Sequence, residues 1–300
     1  MKHTYKKCLS IAGFDGSGGA GMQADLKTFS ALGCYGMTIL TALPIQNTTG
    51  VRTCYPVPLQ SIQDQLEAIF DDITPDTIKI GMLFSEEIIE LVSAFIREYA
   101  TNIPIVLDPV MVSKSGDPLI ADGAILALKK QLIPLCTVIT PNLPEACTLI
   151  NEPHHRYMRQ ESDRHNVDKT DNILYDISHK IAGEIELNSL LLKGGHMEGQ
   201  LSNDLLTIDR DTQHILTAPR IASKNTHGTG CTLSAAICAF LALDFDLYSA
   251  CKLAKNYVFH AIRAGSQYEI GKGNGPLHHF YDAWPKLDFD KLLDLDLSTN

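Results

Sequence analysis

Short, continuously apolar runs alternate with amphipathic stretches through most of this chain, and that alternation narrows the possible folds more than any other feature. The strand-like runs are 7–12, 35–42, 51–57, 77–81, 104–108, 136–140, 188–193, 203–208 and 214–218. Helical patterns occupy 20–31, 59–72, 85–99, 120–131, 143–150, 172–184, 230–242 and 247–264. Strands that are apolar throughout, rather than on every second residue, must be buried on both faces. Helices between them supply the cover, so the expected architecture is an α/β fold with a central, mainly parallel sheet. Such sheets bind ligands beyond the carboxyl ends of their strands. A chain of 300 residues suits this as one domain over 1–300, and no internal repeat subdivides it.

The charge balance excludes several partners. Thirty-five acidic residues against 25 basic ones give a net charge of −10, which disfavours nucleic-acid backbones and anionic membranes. No run approaches the roughly 20 apolar residues of a membrane span. The basic start "MKHTYKKCLSIAG" is cut by glycine too early for a secretory signal, so the expected location is the cytoplasm. The eight cysteines include no Cys-x-x-Cys pair, so seven read as small buried thiols and zinc finds no ligand spacing. Cys231 is the exception because of its setting.

That setting is "NTHGTGCTLSAA". Gly228, Thr229 and Gly230 form a turn that runs into a small-residue helix with Cys231 at the junction. Successive backbone N–H groups at a helix start make an anion site, to which the helix dipole adds a favourable field. Donors so placed stabilise charge that spreads over a phosphoryl group in transfer. A second glycine stretch, "IAGFDGSGGAG", follows the first strand. Gly16, Gly18 and Gly21 satisfy G-x-G-x-x-G, yet no acidic residue occurs between Asp25 and Asp64 to bind a ribose. The Walker phosphate loop is absent as well. This stretch is either a tight strand-to-helix turn or a loop bringing its backbone close to a small substrate.

Other strand ends carry matching chemistry. Asp108 ends "VLD", Asn142 and Glu145 open the helix after "VIT", and Lys193 ends "LLLK". Carboxylate and amide oxygens suit Mg²⁺, which keeps several waters and needs few protein ligands. A lysine ammonium there could meet phosphates. Each residue alone could be a solvated strand end. One segment breaks the rhythm: 151–172 is polar, with three histidines and no apolar period, and reads as a surface excursion whose irregular spacing argues against a metal site.

Together, "GSGGAGMQADLKTFSALGCYGMT", "QNTTGV", "KIGML", "VLDPVMVSKSGDPL", "VITPNLPEA", "LLKGGH", "NTHGTGCTLSAAI" and "GPLHHFY" resemble the bacterial hydroxymethylpyrimidine/phosphomethylpyrimidine kinases of thiamine biosynthesis. These belong to the ribokinase-like superfamily. The resemblance covers most of 9–150 and 188–283. It implies a three-layer α/β/α kinase using ATP and Mg²⁺, and commonly a homodimer. The implied substrate is 4-amino-5-hydroxymethyl-2-methylpyrimidine and then its monophosphate. Gln46 matches the residue that reads the aminopyrimidine, and Gly13, Asp25, Met82 and Val110 match positions around that pocket. Asn142 and Glu145 match an N-x-x-E element that organises metal and phosphates. Asp108 and Lys193 join Asn142 on the nucleotide side. Gly228 to Cys231 match the anion hole.

Sugar kinases of the superfamily carry aspartate as base where this chain has Cys231. A helix N-terminus lowers a thiol pKa, so a lowered pKa is the expectation here. The cysteine then acts as a direct proton acceptor or as a hydrogen-bonding positioner. The chain departs from the family at Phe14 and Gly16, at Pro44 and Ile45, and in the length of 151–172. Three alternatives remain: a pyridoxal or pyridoxine kinase of the same superfamily, a dinucleotide-dependent oxidoreductase, and a silent pyrimidine-binding protein.

Overall fold

The computed structural model describes residues 4–111, 122–153 and 167–286. Eight strands form one sheet in the order β10-β9-β8-β7-β6-β5-β1-β2. These are β1 (Lys7–Ala12), β2 (Tyr35–Leu40), β5 (Thr77–Ile80), β6 (Ile105–Leu107), β7 (Val138–Ile139), β8 (Leu190–Lys193), β9 (Leu201–Ile208) and β10 (Thr212–Pro219). From β2 to β8 the pairing is parallel, and β9 and β10 add an antiparallel edge. The chain order reverses direction at β1, which pairs with β2 on one side and β5 on the other. Ligands of doubly wound sheets lie at such a point.

Side chains alternate between the faces, as strand geometry requires. Ile78, Ile80, Ile105 and Leu107 join one apolar cluster with residues of α2 (Leu59–Phe70), α3 (Glu86–Tyr99), α4 (Asp122–Ala127), α5 (Leu143–Leu149) and α6 (Val167–Glu184). Cys8, Val106, Val138 and Leu191 join a second cluster with α1 (Gly21–Ala31), α7 (Thr229–Ala242) and α8 (Leu247–Gly265). The result is the expected α/β/α sandwich. Small residues let α7 lie close to the sheet, since Ala235, Ala236 and Ala239 are all fully buried.

Three boundaries differ from the sequence reading. The run 35–42 ends at Leu40, and "ALPIQN" becomes a strand of its own, β3 (Ala42–Asn47). It pairs with β4 (Gly50–Pro56) as a separate two-stranded ribbon. Proline at 44 argues against a central strand. A ribbon has two free edges, which is why Pro44 is tolerated. Second, α6 begins at Val167, so the last residues of the polar segment 151–172 are helical rather than an excursion. Its stretch 154–166, with the histidine motif's core, lies outside the described residues. Of the helical pattern at 120–131, residues 120 and 121 lie outside the described residues, and from Asp122 the chain forms α4, one π turn at Leu128–Leu132 and a 3-10 turn at Ile133–Leu135.

Candidate active site

Five strand ends converge. Gly13, Met82, Asp108, Asn142 and Lys193 follow or end β1, β5, β6, β7 and β8, which are neighbours in that order. Above them stands the start of α7. Gly228 is its N-cap, with φ +81°, and a Cβ there would stand 1.7 Å from the Gly19 carbonyl oxygen. Only glycine fits both the left-handed backbone and the close approach. A Cβ on Gly230 would lie 3.3 Å from both Asp108 Oδ2 and Lys193 Nζ, so the turn opens directly onto that ion pair. The glycine loop and the turn are also latched together. Asp15 is fully buried and accepts from Ser17, Gly19, Ala20 and His227, the last at 2.8 Å. These partners hold its carboxyl well below the usual range despite burial.

At the ends of β6, β7 and β8, Lys193 Nζ donates to Asp108 Oδ1 at 2.8 Å and lies 4.0 Å from Glu145 Oε2. Asn142 and Glu145 form a reciprocal capping box at α5: the Glu145 N–H donates to Asn142 Oδ1, and the Asn142 N–H donates to Glu145 Oε2. The Lys193 N–H donates to the Pro141 carbonyl, which ties the two strand ends together. Burial pushes the Glu145 carboxyl up to about 7, with Asp108 adding to the rise and Lys193 opposing it. Among the described residues no three His, Cys, Asp or Glu side chains converge as a metal cage. Two nearby carboxylates with a lysine suit an ion that keeps its waters and is held mainly by phosphates.

At the ends of β1 and β5, a Gly13 Cβ would stand 3.2 Å from Met82 Sδ and 3.7 Å from the Ala42 carbonyl oxygen. Glycine at 13 therefore leaves room between loop and ribbon. Gln46 sits four residues further along β3, half-buried, at a bulge between Ile45 and Gln46. Bulges re-aim a side chain. Among the described residues its carboxamide has no protein hydrogen bond, while the ribbon tip is fastened by Asn274 N–H to the Thr48 carbonyl at 2.9 Å. Val110 follows Asp108, its N–H bonded back to that residue's carbonyl.

Asp25 is fully buried, 2.8 Å from the equally buried Lys79 and bonded to Ser10 Oγ. Lys79 was not singled out from the sequence. The signal was there: "TIKI" places a lysine inside a strand whose every residue is buried. Burial and the neighbouring carboxyls correct the expectation for Cys231. Its thiol is pushed up, to about 11, rather than down. Burial is the main cause, and Lys79 and the Gly21 N–H only partly oppose it. At neutral pH the resting residue is a thiol.

The sequence profile of the phosphomethylpyrimidine kinase family matches residues 15–278. The chain belongs to that family. A hydroxymethylpyrimidine/phosphomethylpyrimidine kinase of Escherichia coli (strain K12) is 42% identical over 276 residues, which is 92% of this chain and 98% of that protein. Among solved structures, the phosphomethylpyrimidine kinase from Clostridium difficile 630 is 39% identical with a TM-score of 0.67, covering 85% of this chain and 99% of that one. The pyridoxal kinase from Staphylococcus aureus in complex with AMP-PCP and pyridoxal is 33% identical with a TM-score of 0.76, covering 93% and 95%. The fold of this family member is thus ribokinase-like, and its overall shape does not separate pyrimidine from pyridoxal kinases. No described helix is long and apolar enough to cross a membrane.

Proposed function

We propose that this chain transfers the γ-phosphoryl group of ATP to the hydroxymethyl group of 4-amino-5-hydroxymethyl-2-methylpyrimidine, and then phosphorylates the monophosphate to the pyrophosphate. The observation that carries the proposal is the placement of the Gly228–Gly230 turn over the Asp108–Lys193 pair, one strand away from the ends of β5 and β1 where Met82 and Gly13 lie. That arrangement supports a reading in which a phosphoryl group meets backbone donors and an ammonium beside the small-ring substrate. The substrate hydroxyl oxygen forms its bond to the γ-phosphorus. The bond from phosphorus to the bridging oxygen breaks, and its electron pair leaves with ADP. Cys231, at the first turn of α7, holds the hydroxyl in line as a thiol, or takes the hydroxyl proton after losing its own to solvent. Lys193 faces the phosphates, and Asp108 holds its ammonium in place. Asn142 and Glu145 fit a hydrated Mg²⁺, which would neutralise phosphate charge when bound. Gln46, on the ribbon, offers an acceptor and two donors to the aminopyrimidine edge. A homodimer in the cytoplasm belongs to the same reading, and light scattering tests the dimer.

A pyridoxal kinase is the second reading, favoured by the likeness to the S. aureus enzyme. A coupled ATP-consumption assay with the hydroxymethylpyrimidine and pyridoxal side by side decides. Turnover of the pyrimidine with the higher kcat/KM supports the proposal. Preference for pyridoxal, or binding without turnover, overturns it.

A further inference from the structure

We propose that His227 is a positioning residue for phosphoryl transfer: its ring, held by Asp15, sets where the Gly228–Gly230 turn stands relative to the glycine loop 13–20, without touching substrate. The proposal rests on the reading of that turn as the group that receives the moving phosphoryl.

Asp15 is the fixed point of the loop, and its carboxylate is fully buried. Oδ1 accepts from the N–H and the hydroxyl of Ser17, and Oδ2 accepts from the N–H groups of Gly19 and Ala20. The Asp15 N–H donates to Gln23 Oε1 at 2.8 Å, and its carbonyl accepts from the Gly18 N–H at 2.9 Å. At the other end of the loop, the Gly13 carbonyl accepts from the Met22 N–H at 3.0 Å. These bonds stay within the loop and the first turn of α1, and they make it one rigid unit. His227 reaches it from 212 positions away, with Nε2 at 2.8 Å from Asp15 Oδ2. A carboxylate only accepts, so the proton sits on Nε2.

His227 directly precedes Gly228, the N-cap of α7. Its main chain is held from the opposite side: the N–H donates to the Gly275 carbonyl at 3.0 Å, and the residue bridges to Pro276. A Cβ on Gly19 would run into the His227 ring and stand 3.2 Å from the Pro276 Cβ. The ring is therefore seated between the loop and the 275–276 segment, with Asp15 at its tip. Gly228 and the Gly19 carbonyl meet with no room for a side chain, so packing keeps the two turns from coming closer. The Nε2–Oδ2 bond keeps them from drawing apart, and a bond to an ionised carboxylate is among the strong ones. Without it Asp15 still accepts from Ser17, Gly19 and Ala20, so the loop keeps its own form. What changes is the place of the phosphoryl donors, where a shift of about 1 Å costs about 10²-fold in rate.

Three replacements at this position test the proposal in the full chain. Glutamine puts an amide N–H near the place of imidazole Nε2, asparagine is too short to reach Asp15, and leucine has no donor. kcat and KM are measured on whichever of the hydroxymethylpyrimidine and pyridoxal the wild type turns over. His227→Leu and His227→Asn are expected to lower kcat about 10²-fold with little change in acceptor KM, the mark of an interaction made in the transition state. His227→Gln is expected to restore most of that loss. Equal kcat in His227→Gln and His227→Asn overturns the proposal, as does a loss carried by acceptor KM alone. If His227→Leu does not fold, the glutamine and asparagine variants decide by the same criterion. A wild type that turns over neither acceptor overturns the proposed function, and the inference is then read from nucleotide binding. Affinity for AMP-PCP should be about tenfold weaker in His227→Asn than in His227→Gln, the worth of one hydrogen bond to a charged group, with ADP bound alike. Equal AMP-PCP affinities would overturn it.

Discussion

Replacing Glu145 with glutamine is expected to raise stability at alkaline pH while weakening catalysis. The Glu145 carboxyl is buried at the start of α5, and its pKa stands at about 7 against an ordinary value of 4.5. A carboxyl raised on folding resists ionisation in the native state. Its favourable contribution is complete below about pH 4.5 and is lost as pH rises through about 7. At about 1.4 kcal/mol per pH unit, that interval corresponds to about 3 kcal/mol lost by pH 8.5 and under about 1 kcal/mol at pH 5. Glutamine carries no charge to desolvate, and its carbonyl can still accept from the Asn142 N–H, so the capping box survives. Lys193 keeps its partner Asp108 at 2.8 Å. For a chain of 300 residues, about 3 kcal/mol is roughly 5 °C in Tm. Scanning calorimetry of both proteins at pH 5 and pH 8.5 should show a gain of that size at the higher pH and little at the lower. The Mg²⁺ concentration for half-maximal activity should rise in the same variant. An equal Tm difference at both pH values, or a loss at pH 8.5, would refute the reasoning, since neither follows from a buried carboxylate.

Cys231→Ala should lower kcat by about 10²–10⁴-fold with a much smaller effect on the pyrimidine KM, and turnover within about threefold of wild type would exclude proton acceptance. Gln46→Leu should erase most of the preference for the pyrimidine over pyridoxal, because an unpaired polar edge costs roughly 1–3 kcal/mol, or about 5- to 150-fold in kcat/KM. An unchanged ratio of the two kcat/KM values would mean that Gln46 only shapes its ribbon. Gly228→Ala puts a Cβ 1.7 Å from the Gly19 carbonyl at a backbone φ of +81°, so urea unfolding should show a loss of at least about 2 kcal/mol. Wild-type stability in that variant would show that the two glycine turns do not meet as described.

Local rules made the sheet legible in advance. Apolar runs at 77–81, 104–108 and 188–193 are strands because only burial on both faces explains such composition. The residues following them could be nominated because parallel sheets put ligands at those ends. The Gly228–Gly230 turn was equally plain, since glycine spacing before a small-residue helix has few other uses. What the sequence could not decide depended on neighbours distant in the chain. "ALPIQN" is a strand only because "GVRTCYP" folds back onto it away from the sheet. Asp25 and Lys79 pair in the core although 54 positions separate them in the chain. Cys231 stands at a helix N-terminus, which by itself favours the thiolate. Its pKa nevertheless rises, because tertiary burial and the carboxylates of Asp25 and Asp108 outweigh the local field. Periodicity and turn chemistry act over a few residues and can be read along the chain. Desolvation and charge pairing depend on which segments meet in space, and only the folded structure fixes that.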